Sequence, residues 1–175
     1  MRSNPLPACV VVLALSGPAS AAPRVVERVL AVVDDRPVLL SEVRLVQQVR
    51  GEDAGPALEA LIDEHLMFAA ALRLPQAALT DAEEAAALSA LSARVPEGSG
   101  DADALRRMAR RQATILKYVD FRFRPQVRIS AEDPGQKARL EAEELDARIE
   151  AWLKDLRAAA DVRYNTFNRT DPASR

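Results

Sequence analysis

The chain has 175 residues, with 24 Lys and Arg against 26 Asp and Glu, one His, one Cys and seven aromatic residues. A single His excludes a multi-histidine metal cluster, and a single Cys excludes an intrachain disulfide. The formal charge of −2 lacks the basic footprint of a generic nucleic-acid binder.

The length suits one domain with a sizeable core. The 49% hydrophobic content includes 33 alanines, a composition that suits close-packed helices better than strand-rich sandwiches.

Met1 to Ala22 combines Arg2, an apolar stretch from Ala8 to Leu15, the breaker pair Gly17-Pro18 and the small run Ala19-Ser20-Ala21. This is the pattern of a secretory signal peptide over residues 1–21, cut between Ala21 and Ala22. The apolar run is about eight residues, against the ~20 needed to span a bilayer. Leu6-Pro7-Ala8-Cys9 imitates a lipoprotein box, but its apolar run follows Cys9 rather than preceding it. Cleavage would remove the only Cys and leave 23 basic against 26 acidic residues, a charge of −3. The expected product is an exported chain without cysteine, with no later hydrophobic run long enough to span a membrane, held together by packing alone.

Prolines 37, 56, 75, 96, 125 and 134 divide the remainder, and the segments between them carry helical periodicity. Before the first of these, Val25 to Val33 is a β-branched run ending at Asp34-Asp35. It is followed by Pro37-Val-Leu-Leu40, which predicts a hairpin turning at Asp34-Asp35-Arg36. Ser41 is placed to N-cap a helix carrying Val43, Val46 and Val49. A second helix over Ala57 to Leu74 aligns Leu58, Leu61, Ile62, His65, Phe68 and Leu72 on one face. Thr80-Asp-Ala-Glu83 is a capping box that opens a third helix running to about Arg94, before the break at Pro96-Glu-Gly-Ser-Gly100.

Leu105, Met108, Gln112, Ile115, Val119 and Phe123 mark a long fourth helix closed by Pro125. After the connection Ser130 to Gln136, a fifth helix beginning near Lys137 carries Leu145, Ile149, Trp152, Leu153 and Leu156. Val162 to Phe167 alternates like a strand. Asn168 to Arg175 is a polar tail. No internal repeat occurs. The predicted fold is mainly α, with an N-terminal β-hairpin, about five helices and a C-terminal strand that adds to the hairpin, which would be marginal alone. It would form a single domain over 22–167.

Candidate chemistry is sparse. His65 has no second His, Cys or activated Ser to work with, and its place on an apolar helix face suits packing. No glycine-rich phosphate loop occurs. The acidic pairs Asp34-Asp35, Glu83-Glu84 and Glu143-Glu144 suit a solvated surface, because adjacent helical side chains point apart. Arg106, Arg107, Arg110 and Arg111, with Arg122 and Arg124, form a basic band. It is open to an acidic or phosphate partner, though a solvated face paired with nearby acids is the simpler reading. Phe121, Phe123 and Trp152 suit core anchoring. No catalytic constellation, cofactor site or metal site emerges.

Several segments taken together resemble one family. Val25-Val-Glu-Arg-Val-Leu-Ala-Val-Val-Asp-Asp-Arg-Pro-Val-Leu-Leu-Ser-Glu-Val43 is similar to the opening of the SurA-type periplasmic chaperones. Ala57 to Met67, Leu79 to Glu84, Leu105 to Ser130 and Leu145 to Phe167 resemble later parts of that family's core domain, in the same order. In that family the segment after the long helix normally leads into parvulin-type prolyl isomerase modules of about a hundred residues. The few residues between Ser130 and Lys137 leave no room for one.

The resemblance therefore implies a periplasmic chaperone core without isomerase activity. Its implied clients are unfolded exported polypeptides, outer-membrane β-barrel chains among them, with no cofactor, no nucleic acid and no stable membrane insertion. Met67, Phe68, Phe121 and Phe123 are the candidate client-binding residues. The rival reading is a structural or assembly subunit of an envelope or export system that docks on one fixed partner. The sequence leaves the oligomeric state open.

Overall fold

The computed structural model describes residues 27–95 and 101–165. The expected signal peptide with its expected cleavage point, the expected break at 96–100, Phe167 and the expected polar tail lie outside the described residues. The described chain is mainly helical. Strands β1 (Val29–Val33) and β2 (Arg36–Leu39) lead into helices α1 (Leu40–Arg50), α2 (Ala54–Ala71), α3 (Asp81–Ser92), α4 (Ala102–Arg122) and α5 (Pro134–Ala159), and strand β3 (Val162–Tyr164) follows. Short 3-10 turns at Pro75–Ala77 and Arg124–Gln126 join α2 to α3 and follow α4.

The strands form one antiparallel sheet in the order β2-β1-β3, so the last strand joins the opening hairpin as expected. Asp34 takes the left-handed φ of 51° that a two-residue turn needs, a conformation Asp adopts more readily than most residues. Asp34 N–H donates to the Asp161 carbonyl at 2.8 Å, and Asp161 N–H donates to Asp34 Oδ1 at 3.1 Å. The turn residue thus fixes the entry of β3. Pro37 lies on the edge strand β2, where a missing N–H interrupts no ladder on the solvent side.

Element ends differ from expectation for local reasons. β1 begins at Val29 rather than Val25, and β3 ends at Tyr164. Ser41 is not the N-cap of α1: β2 runs straight into the helix, Leu39 occupies the cap position, and Glu42 reaches back to accept from Leu39 N–H at 3.4 Å. Pro56 falls inside the first turn of α2, where its absent N–H would have had no partner, so that helix starts at Ala54 instead of Ala57. It stops at Ala71, short of Leu74, ahead of Pro75. Asp133 caps α5 by accepting from Gln136 N–H, and Pro134 takes the first helical position, three residues before Lys137.

The capping box of α3 forms as read, Thr80 N–H donating to Glu83 and Glu83 N–H to the Thr80 hydroxyl. Lys117 of α4 donates to Glu83 at 2.8 Å and to the Ala78 carbonyl at 2.8 Å, which fastens α3 to α4. The Lys117 bond, and then the Thr80 bonds, hold the Glu83 carboxyl at about 2.

Leu61 and Ile62 of α2, Met108 of α4, Val43 and Val46 of α1 and Val38 of β2 are the largest fully buried side chains, and they belong to one core between sheet and helices. A second core gathers Tyr118, Val119 and Phe123 against Trp152 and Ile149 of α5. Helix α5 has no fully buried residue; it rests one half-buried stripe on the rest of the fold. Arg157 of α5 holds it to α2 through Asp63 and Glu59, and Tyr164 hydroxyl of β3 donates to the same Glu59 at 2.8 Å.

Candidate functional site

The helical spacing that builds the core also leaves a groove. Residues Ile115, Leu116 and Val119 on α4 face Met67 of α2, Val49 of α1 and Ile149 of α5 around a cavity of about 410 Å³. Val119 is buried at the base, whereas Leu116 is 59% exposed at the rim. An apolar side chain of that exposure gains by being covered.

One wall of this groove is polar and fixed. Arg50 Nη2 donates to Glu64 Oε1 at 2.8 Å, and Gln112 Nε2 donates to the same oxygen at 3.0 Å. Behind it, Arg111 Nη1 donates to Glu42 Oε1 at 3.0 Å, while its Nε stands 3.7 Å from Glu64 Oε2, an ion pair wider than a hydrogen bond. Glu42, Glu64 and Arg111 are all buried, so α1, α2 and α4 meet on an internal charge network as well as on apolar contacts. A buried carboxylate pair is tolerated only with its cation in place.

This network corrects the reading of the basic band as uniformly solvated. Arg106 and Arg110 do sit at the surface near Asp103 and Glu84, but Arg111 is interior. The signal was present in the spacing: Arg111 follows Met108 by three positions and Glu64 follows Leu61 by three, each on the stripe that its helix buries.

The four sequence-derived candidates are not gathered on one surface. Met67 is half-buried in the groove, and Phe68, one step further round α2, lines a different cavity beside β2. Phe121 is 53% exposed near the end of α4. Phe123 is buried, 6.1 Å from the Tyr118 ring centroid and 5.4 Å from that of Trp152. Ile115, Leu116 and Val119 complete the groove around Met67, and only the packing of α4 against α2 identifies them as its lining.

His65 is half-buried on α2, and its Nε2 has no hydrogen-bond partner among the described residues. Burial, then the charge of Arg111, lowers its pKa to about 4, with Glu42 opposing and Arg36 adding to the effect. The imidazole is therefore neutral near pH 7. No group of three or more His, Cys, Asp or Glu suited to a metal occurs among the described residues. No described helix is long and apolar enough to cross a membrane.

Compared with known proteins, the chain matches no protein-family model and no curated protein.

Proposed function

We propose that this protein is a periplasmic, chaperone-like binding protein that shields unfolded exported polypeptides, on a SurA-like core with no room for a prolyl isomerase module between α4 and α5. The observation that carries this reading is the apolar groove between α2 and α4, with Leu116 exposed at its rim and a charge network fixing its wall. Non-directional apolar contact accepts many unfolded sequences, and it requires no nucleophile, metal or cofactor. A cavity of about 410 Å³ takes one or two apolar side chains of a client rather than a folded surface. The resemblance of the hairpin, the helix order and the closing strand to the SurA-type core supports the same reading. It makes unfolded outer-membrane β-barrel chains the first clients to try.

The test is suppression of light scattering by several unrelated unfolded proteins, with wild-type protein and with Leu116→Glu. Residue 116 is exposed, so the variant should fold. Suppression of all the test proteins, weakened severalfold by Leu116→Glu, is the expected result. Indifference to every unfolded protein, or tight binding to one partner alone, would overturn it in favour of an assembly subunit.

A further inference from the structure

A second cavity, of about 520 Å³, lies where β2 meets α2 and α4. Its construction follows from spacing. Arg107, Arg110 and Arg111 share one face of α4 at intervals of three and four, while His65, Phe68 and Leu72 share one face of α2 at intervals of three and four. Pro37 and Leu39 of β2 add apolar wall, and Arg36 stands at the edge.

The charge of this lining runs against that of the whole chain. Four arginines and one carboxylate residue, Glu42, line it, on a protein whose formal charge is −2. Arg111 is committed to Glu42 and Glu64, and Arg110 has only Glu84 at 3.9 Å on the surface. Arg36 and Arg107 have no acidic partner among the described residues, and each is exposed. Asp34 and Asp35 border an adjoining cavity, and Asp34 is occupied by the Asp161 amide. The neutral imidazole of His65 adds Nε2 without a partner. Arginines lining a cavity beside apolar side chains match an anion on an apolar body, since a guanidinium fork pairs bidentately with a carboxylate and the wall covers the rest.

We propose that this cavity binds an amphiphilic carboxylate, the anionic group held by Arg36, Arg107 and Arg110 and the apolar body seated on Phe68, Leu72 and Pro37. Such a carboxylate ends a fatty acyl chain, and it also ends a polypeptide whose last residue is apolar. The inference does not rest on client binding at the Leu116 groove, so either can fail without the other.

The experiment uses untagged full-length protein and calorimetric titration at pH 7 with decanoate, with decanol, and with a short peptide ending in Leu as free acid or as amide. Proton NMR of the single histidine follows each titration, its signal belonging to His65 without further assignment. Saturable binding of decanoate or of the free-acid peptide, with the uncharged counterpart weaker by roughly tenfold or more, and with a shift of the His65 signal, is the expected result. Binding of decanoate alone assigns the carboxylate to a fatty acyl chain, and binding of the free-acid peptide alone assigns it to a polypeptide end. The double variant Arg36→Gln, Arg107→Gln replaces two exposed side chains, and it should lose the binding while keeping its circular dichroism spectrum and its suppression of light scattering. Equal binding of charged and uncharged ligands, an unmoved His65 signal, full binding by the double variant, or no saturable binding of any carboxylate would overturn the proposal.

Discussion

Arg111 of α4 and Glu42 of α1 lie 69 positions apart, and they meet at 3.0 Å with 7% and 8% of their side chains exposed. This pair ties the two helices together in the interior. Removing the cation would strand Glu42 in the interior and leave Glu64 only Arg50 and Gln112 on its other oxygen, so Arg111→Ala should cost about 3–5 kcal/mol in chemical denaturation. Replacing the three together, as Glu42→Gln, Glu64→Gln and Arg111→Met, should cost much less than the sum of the single changes. Such non-additivity marks one coupled unit.

His65 gives stability a defined pH dependence. The folded protein holds the imidazole at about 4, below its ordinary 6.5, so as the pH falls the unfolded chain takes up the proton first. Stability should therefore decline between pH 6.5 and 4, by about 2–3 kcal/mol. His65→Gln should remove this component. The difference between wild-type and variant denaturation midpoints across that window measures it, and a constant difference would rule it out.

Trp152 is the anchor of α5. Its ring stacks on Tyr118 at 4.9 Å with an interplanar angle of 18°, and it meets Phe123 at 5.4 Å. Because no α5 residue is fully buried, these contacts supply much of what docks the helix. Trp152→Ala should destabilise the protein by about 2–3 kcal/mol, and a double-mutant cycle with Tyr118→Leu should return a coupling of about 0.5–1.5 kcal/mol.

Arg157 fastens the other end of the same helix through Asp63 and Glu59 of α2. The pair is part-exposed, with 36% of the Arg157 side chain open to solvent, so Arg157→Ala should cost only about 0.5–1 kcal/mol globally. Its local effect should be larger. Amide exchange should accelerate in the last turns of α5 and in β3, because Glu59 also receives the Tyr164 hydroxyl, while the amides of α2 and α4 stay protected.

The elements of this fold are legible residue by residue. The valine run before Asp34-Asp35 specifies a strand and turn, Thr80 and Glu83 open α3 wherever the chain goes, and the stripes of α2 and α4 are set by their own periodicity. These are local effects, governed by backbone preference and by the helical repeat of 3.6 residues. Boundaries moved by a few residues where a neighbour intervened: Glu42 displaced Ser41 from the cap of α1, and Pro56 fitted within the first turn of α2.

The placement of function depended on distance in space. Read along the chain, Arg111 belonged to a surface band, and only the packing of α1 and α2 against α4 turned it into an interior cation between two carboxylates. Met67 and Phe68 are neighbours in sequence, yet a helix turns successive side chains about 100° apart, which sends one to the Leu116 groove and the other to the arginine-lined cavity. The helices and the hairpin were legible along the chain, because they depend on residues close together in it. Which apolar side chains remain uncovered, and which charges are withdrawn from water, was decided by the tertiary structure, because burial depends on what packs across from a residue and not on what precedes it.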